Sequence, residues 1–392
     1  MTLENIIENG ILMSFGIGVN PFEMPLLYLL LALNLFILVA LVIEKLASKD
    51  YIGCDVEKRL ANINLVILLI VPVVVIYTLK LNPVGSFVVV GLYTITFLKL
   101  WSYADVNRAL RVDGAGDAPV QDRPLTRRRS RRLLGLGPEP LKSPAAPEPT
   151  IQAYPDNLNL RDMYFFMLSP TLCYDINFPR TDRVRKTYLL RLVVELIILI
   201  QVWLFMLQQW TAPAVVATAE PLMDYNIIGT VESFLSVALA NHLSWLLFFY
   251  IYFHLLLNIF AEVTCFADRN FYSDWWNSSN IEEFWRKWNI PVHKWCVRHV
   301  YKPVRGLGYS KFQAVLTVYL LSAIFHEYLA SVPLKLLTHW SFGGMMAQVL
   351  HQQSINIAML FFFMGYSFIF ILRNCVLFYE LPFVHVICIL VR

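Results

Sequence analysis

Long apolar stretches, separated by short polar or basic segments, run through most of the chain. A helix that crosses a bilayer needs about 20 apolar residues at 1.5 Å rise each, and six stretches of about that length contain few charged positions. We predict that these cross the membrane at 25–43, 63–79, 84–101, 189–207, 238–263 and 312–333. The segments 341–350, 355–372 and 376–391 are less regular. Counting two or three of them as spans gives a total of about eight.

Composition supports this pattern and excludes other classes of protein. Of the 392 residues, 57% are hydrophobic and only 15% charged, with a mean hydropathy of +0.55. One soluble core of this length would not bury so much apolar surface, and aromatic residues make up 14% of the chain, which argues against disorder. The six cysteines form no CxxC pair. The sequence therefore predicts an all-α, polytopic helical membrane protein.

Loop charge predicts the orientation of the spans, because cytosolic loops are enriched in Lys and Arg. Residues 102–187 contain fourteen Lys and Arg and residues 266–311 contain eight, whereas residues 208–234 contain none. We expect the two basic loops to be cytosolic and 208–234 to be lumenal. The first residues are then lumenal, without a signal-peptide pattern, so we expect that a preceding helix is missing from this chain.

We predict N-terminal membrane helices at 1–103. A basic, flexible cytosolic linker is predicted to follow them at 104–153. The linker is rich in Pro, Gly, Ala and Arg, with a basic cluster at 127–132. A solvated linker is one interpretation of that cluster. A nuclear signal and a lipid-surface patch are the others.

Two adjacent ionisable residues, His326 and Glu327, lie inside the sixth span, where such groups are costly and often functional. On a helix, Ser322, Ala323 and Ala330 share a face with His326. These small residues leave room for a substrate beside a neutral imidazole, which suits a general base. The alternative is tight helix packing with a structural histidine. Glu327 points about 100° away, which favours a supporting role.

A tryptophan-rich segment lies between the fifth and sixth spans, with basic residues interleaved. Trp and Arg suit either the membrane–water interface or a site for a phosphorylated, adenine-bearing ligand. The sequence contains no P-loop or Rossmann motif, and nucleic-acid binding is not expected.

This segment contains a specific motif. The motif resembles the FYxDWWN signature of the sterol O-acyltransferase branch of the membrane-bound O-acyltransferase (MBOAT) family, and its residues are Phe271, Tyr272, Ser273, Asp274, Trp275, Trp276 and Asn277. Trp288-Asn289 and the run 325–328 follow at the family's spacing. Within this branch, residues 154–158, 170–180, 289–296 and 344–348 resemble the acyl-CoA:diacylglycerol acyltransferases.

The resemblance implies a fold with a buried reaction chamber and an endoplasmic-reticulum enzyme that esterifies diacylglycerol with a fatty acyl group from acyl-CoA. The family's catalytic histidine corresponds to His326 and its partner asparagine to Asn289. Gln348 matches a polar residue near the reaction centre, and Glu327 is a second candidate there. The implied acyl-CoA contacts are Trp285, Trp288, Asn289, Ile290, Pro291, Val292, His293 and Tyr301. No cofactor or metal is expected, since acyl-CoA is a substrate.

The resemblance divides the rest of the chain into a catalytic core at 154–348 and a divergent C-terminal membrane segment at 349–392. Gly365-Tyr366-Ser367 stands where the diacylglycerol enzymes carry Gly-Gln-Pro. Three functions therefore stay open. The chain is an active diacylglycerol acyltransferase, an impaired member that binds acyl-CoA or lipid or pairs with an active copy, or an acyltransferase for a sterol, retinol or fatty alcohol. Homo-oligomers are implied by the family, through the region that precedes this chain.

Overall fold

The computed structural model describes residues 24–115 and 152–350, apart from 219, 220, 222 and 338. These residues form helices and connecting turns, and the described part contains no β-strand. We number the helices α1 (Met24–Ser48), α2 (Cys54–Leu79), α3 (Pro83–Ala115), α4 (Leu160–Leu168), α5 (Lys186–Val216), α6 (Ile227–Val263), α7 (Ile281–Trp288), α8 (290–306), α9 (Lys311–Leu334) and α10 (Trp340–Leu350).

Six of these helices are long and apolar enough to cross a membrane, namely α1, α2, α3, α5, α6 and α9. They confirm the six predicted crossings and the polytopic helical class. The segment 341–350 lies in α10, whose 11 residues are too few to span the hydrocarbon core. The candidate spans 355–372 and 376–391 lie outside the described residues, and the sidedness of the loops stays a prediction.

Two predicted boundaries are wrong. The linker predicted at 104–153 begins as helix, because α3 continues to Ala115; residues 116–151 lie outside the described part. Buried ion pairs hold the last turns of α3. Arg108 lies 2.9 Å and Arg111 lies 3.0 Å from Glu57. Arg111 also lies 2.9 Å from Glu44. The loop predicted at 208–234 is also shorter, since α5 extends to Val216 and α6 begins at Ile227.

Local capping explains where several helices begin. An Asn or Ser oxygen accepts a hydrogen bond from the first turn and satisfies one of its free N–H groups. The capping residues are Asn159, Asn226, Asn280, Asn289 and Ser310. Ser310 and Gln313 form a reciprocal capping box at the start of α9.

The main core lies between α1, α2 and α3, and α9 packs against it through one face. Tyr328 on α9 donates to the Leu69 carbonyl at 2.9 Å, and the Phe325 ring lies 5.3 Å from the ring of Phe97. Leu329 and Val332 belong to the same cluster. Since His326 follows Phe325 by one residue, about 100° around the helix, this packing turns His326 away from the core.

Helices α5 and α6 form a separate pair. The Tyr250 hydroxyl donates to the Glu195 carboxylate at 2.8 Å, and the Trp203 ring packs against that of Phe248 at 5.6 Å. Near one end of the pair, Glu262 accepts hydrogen bonds from the Arg185 side chain. This pairing supplies the surface on which the tryptophan-rich segment docks.

Candidate active site

The His326 side chain lies well inside α9 and is exposed. Its Nδ1 lies 2.7 Å from the Ser322 carbonyl oxygen and 3.3 Å from the Ser322 hydroxyl. A carbonyl oxygen only accepts hydrogen bonds, so this contact requires a proton on Nδ1. In the neutral ring the lone pair is then on Nε2, which makes no hydrogen bond to another described residue. This tautomer presents Nε2 as a proton acceptor.

Glu327 anchors the turn that leads into α10. Its carboxylate accepts from the backbone N–H of His339 at 2.9 Å and of Phe342 at 3.1 Å. The Ser331 hydroxyl donates to the same carboxylate. A carboxylate at a helix N-terminus satisfies free N–H groups and interacts favourably with the helix dipole. Through these hydrogen bonds, Glu327 on α9 holds the start of α10 against α9. This contact is compatible with the supporting role predicted for Glu327.

Gln348 lies near the end of α10 and is buried. Its Oε1 accepts from the indole Nε1 of Trp285 at 2.7 Å. Its Nε2 lies 3.5 Å from the sulfur of Met345, which is a weak acceptor. The structure thus brings together Gln348 and Trp285, which are 63 residues apart in the sequence.

Asn289 separates α7 from α8 and caps α8. Its Oδ1 accepts from the backbone N–H of Val292 at 3.2 Å. In the described part of the chain, the Asn289 Nδ2 makes no hydrogen bond, and no direct bond joins Asn289 to His326. Capping therefore fixes the oxygen and leaves the Nδ2 group as a donor for another partner.

The predicted acyl-CoA residues beyond Asn289 lie on α8 rather than on a loop. Ile290, Pro291, Val292 and His293 form its first turn, and the backbone N–H of Ile290 donates to the Phe271 carbonyl at 3.0 Å. Burial, and the nearby Arg286 guanidinium, lower the pKa of His293. Its ring is therefore mainly neutral at pH 7 and contributes hydrogen bonding rather than charge. Tyr301 is half-buried in a π-helical turn at Val297–Tyr301.

Trp288 lies in an aromatic cluster between α6 and α7. Its ring is 5.5 Å from Trp245, 5.9 Å from Phe249 and 5.3 Å from Phe253. On its own side it stacks on Phe284, at 6.0 Å and 9° between the ring planes. These contacts fix α7 against the membrane helix, so Trp288 has a packing role in addition to the predicted ligand contact.

The FYSDWWN motif docks the segment onto α6 and α7. Phe271 is buried against Ala261 and Phe266, and the Tyr272 hydroxyl lies 2.9 Å from the Nδ1 of His254. Trp275 packs edge to face on Trp245, at 5.8 Å, and opens a short 3₁₀ turn that ends at Asn277. Trp276 is exposed.

The polar members of the motif attach it to α7. The Ser273 N–H donates to the Lys287 carbonyl, and the Ser273 hydroxyl to Asp274. The Lys287 ammonium lies 3.0 Å from Asp274 and 2.8 Å from Glu283, and it holds the pKa of Glu283 at about 2. The described contacts therefore give the motif a scaffolding role. No described contact joins the motif to His326.

Sequence reasoning missed two polar sites at the junction of α3 with its neighbours. His299, in the π-helical turn of α8, lies 2.8 Å from Asp105 through Nδ1 and 2.9 Å from the Ser102 hydroxyl through Nε2. The buried Lys99 ammonium donates to the carbonyls of Phe166, Met167 and Ser169, at 2.8, 2.9 and 2.7 Å.

A signal for one of these sites was present. Lys99 is a single charge inside the apolar stretch 84–101, and such charges inside membrane spans usually have a partner. The partners of His299 come from a helix almost 200 residues earlier, so local sequence gave no signal for them.

Within the described residues, no group of three His, Cys, Asp or Glu side chains is arranged to hold a metal ion.

Comparison with known proteins adds a separate observation. A sequence model of the membrane-bound O-acyltransferase family matches residues 62–381. The chain is 42% identical over 354 residues to diacylglycerol O-acyltransferase 1 of Bos taurus, covering 88% of this chain and 69% of that protein. The human protein of the same name is 41% identical, with 88% and 68% covered. That of Dictyostelium discoideum is 37% identical over 350 residues, with 88% and 53% covered. The family match continues beyond Gln348, where the motif resemblance ended.

Proposed function

Because this chain belongs to the membrane-bound O-acyltransferase family, we propose that it is an acyl-CoA:diacylglycerol O-acyltransferase that makes triacylglycerol and free CoA. Its class as a multi-pass acyltransferase follows from the family and from the six membrane helices. The acceptor is supported by one observation, the 41–42% identity to enzymes named for diacylglycerol over 88% of the chain. We therefore group it with the diacylglycerol enzymes rather than with a sterol branch.

His326 is the general base in this proposal. Its Nδ1 proton is held by the Ser322 carbonyl, so Nε2 is the atom that takes the proton from the acceptor hydroxyl. The resulting alkoxide attacks the thioester carbonyl of acyl-CoA. When the tetrahedral intermediate collapses, the carbon–sulfur bond breaks and the leaving CoA sulfur takes the proton from Nε2, which gives free CoA and regenerates the base. General base catalysis of this kind contributes about 10²–10⁴-fold in rate.

Two amides are proposed to stabilise the oxyanion of that intermediate. Asn289 and Gln348 both have their side-chain oxygen occupied by a donor, the Val292 N–H in one case and the Trp285 indole in the other. Each therefore presents its NH₂ group, which is the group that an oxyanion requires. Loss of one such donor costs about 10²–10³-fold in rate.

The α7–α8 region is proposed to hold acyl-CoA, with Trp285, Trp288, residues 289–293 and Tyr301 as its contacts. Arg286 is exposed beside them and supplies positive charge for the CoA phosphates, since His293 is mainly neutral. The acyl chain then extends among the membrane helices, towards His326. The endoplasmic reticulum is the proposed location, and self-association stays a prediction from the family.

The test is an ester-forming assay with the purified chain, labelled oleoyl-CoA and either diacylglycerol or cholesterol. Triacylglycerol formed by the wild type in preference to cholesteryl ester supports the proposal. Equal ester formation with other alcohols favours an enzyme with a different acceptor. Acyl-CoA binding without any ester favours an impaired member, since Gly365-Tyr366-Ser367 differs from the family there.

A further inference from the structure

We infer that Trp285 is a positioning residue for the reaction, acting through Gln348 by fixing which end of its amide faces the reaction centre. This inference rests on the proposed function and adds to it, since Trp285 otherwise enters only as an acyl-CoA contact. It is carried by one hydrogen bond, from the Trp285 Nε1 to the Gln348 Oε1 at 2.7 Å.

The chemistry of the two groups allows only one orientation. An indole N–H donates and never accepts, whereas a glutamine amide has an accepting oxygen and a donating NH₂. A flipped Gln348 would place its NH₂ against the indole N–H. Gln348 is only 5% exposed, so neither donor would find water in exchange. Trp285 therefore holds the oxygen, and the NH₂, which contacts only the weak Met345 sulfur acceptor at 3.5 Å in the described structure, has a second hydrogen to donate.

Contacts at both ends make this orientation rigid. On α7, the Trp285 ring packs edge to face on Phe284 at 5.3 Å and on Trp288 at 6.0 Å. On α10, the Glu327 carboxylate fixes the first turn through the N–H of Phe342. Neither partner of the hydrogen bond is free to swing away.

The packing of α10 on α9 sets the level of Gln348 along α9. Six residues at 1.5 Å each put Gln348 about 9 Å along the α10 axis from Phe342. Because α10 follows a short turn and packs along α9, its chain runs back along α9. The rise along α10 therefore brings Gln348 to about the level of Ser322, one turn before His326. In this inference the NH₂ of Gln348, whose described contact is the weak sulfur acceptor of Met345 at 3.5 Å, is the donor to the oxyanion.

Trp285→Phe is the decisive variant, because it removes the indole N–H and retains an aromatic ring. With acyl-CoA and diacylglycerol, we expect kcat to fall by about 10²-fold, with the KM for acyl-CoA within about 2-fold of wild type. Trp203→Phe is the matched control, since the Trp203 Nε1 is buried without a hydrogen-bond partner in the described structure. That control should keep the wild-type kcat.

Two further variants separate positioning from substrate binding or misfolding. If Trp285 acts through Gln348, the Trp285→Phe/Gln348→Ala double variant is no slower than Gln348→Ala alone. Gln348→Glu keeps an acceptor for the indole but, when ionised, has no hydrogen to donate, so it should be as slow as Gln348→Ala.

The outcomes distinguish this inference from the proposed function. An inactive wild type rejects the proposed function. An active wild type in which Trp285→Phe raises only the KM for acyl-CoA makes Trp285 a substrate contact and overturns the inference. Additive losses in the double variant overturn it as well, because independent effects would not pass through Gln348.

Discussion

The imidazole of His326 donates through Nδ1 to the main-chain carbonyl of Ser322, one helical turn earlier. The ring is thus oriented by the backbone, and a side-chain change at residue 322 leaves this bond in place. The hydrogen bond at one ring nitrogen decides which nitrogen carries the proton in the neutral ring, and a backbone carbonyl is a frequent partner of the Nδ1–H group.

His326→Ala should lower the rate of ester formation by about 10²–10⁴-fold, which is the contribution of a general base. Ser322→Ala is its control and should stay close to wild type, because the carbonyl acceptor is retained. Initial rates with labelled acyl-CoA measure both. An equal loss in Ser322→Ala would mean that the serine hydroxyl, 3.3 Å from Nδ1, orients the ring instead.

Glu327→Ala should weaken the attachment of α10. The carboxylate accepts two backbone N–H groups and the Ser331 hydroxyl, and hydrogen bonds to a charged group contribute about 1.5–3 kcal/mol each. We expect a lower thermal unfolding midpoint together with a lower kcat, because α10 carries Gln348. Glu327→Gln retains an acceptor and should lose less of both. Equal behaviour of Ala and Gln would indicate that the negative charge itself is required.

Lys99→Met should destabilise the junction of α3 with α4. It removes the shared donor of three carbonyls at the end of α4. The Ser169 carbonyl keeps the Thr171 N–H as a donor, whereas those of Phe166 and Met167 lose the ammonium, and each buried unsatisfied acceptor costs about 1–3 kcal/mol. Lys58→Met, at an exposed lysine of α2, serves as the control. Thermal unfolding in detergent compares the two, and similar midpoints would show that water replaces the ammonium at little cost.

Stability should fall below about pH 6.5 through His299. Burial lowers the pKa of His299 below its usual value, and outweighs the opposing effect of Asp105. The unfolded chain therefore takes up a proton at a higher pH than the folded chain does. The stabilisation is complete above the unfolded pKa of about 6.5 and is lost as pH falls through the lower folded pKa. His299→Gln should flatten the pH dependence of the unfolding midpoint in this window. An unchanged slope would assign it to other groups.

The membrane helices were predictable because apolar length alone identifies a span. The tryptophan-rich segment was not predicted as helical, since its aromatic composition matched an interface or a ligand site equally well. Two asparagines there, Asn280 and Asn289, occupy N-cap positions, and they were the available signal for α7 and α8.

For the candidate site the sequence supplied residues but not their contacts, and the roles of those residues stay predictions. The resemblance named His326, Asn289 and Gln348, and the assignment to the acyltransferase family is confirmed. The bond between Trp285 and Gln348 joins two helices that are separated by α8 and α9. Its formation depends on tertiary packing and on the attachment of α10 by Glu327. The periodicity of hydrophobic residues in the sequence indicates neither of these.

The π-helical turn in α6, Tyr250–Leu256, determines which way the later side chains of α6 point around the helix axis. Residues five apart line up in such a turn, so Phe249 and His254 both reach Tyr272, at 5.1 Å between rings and 2.9 Å between Nδ1 and hydroxyl. Deleting one residue here would restore an ordinary helix and rotate Glu262 by about 100°, away from Arg185. The number of residues in this turn is therefore as important to the packing of the tryptophan-rich segment as the identity of its side chains.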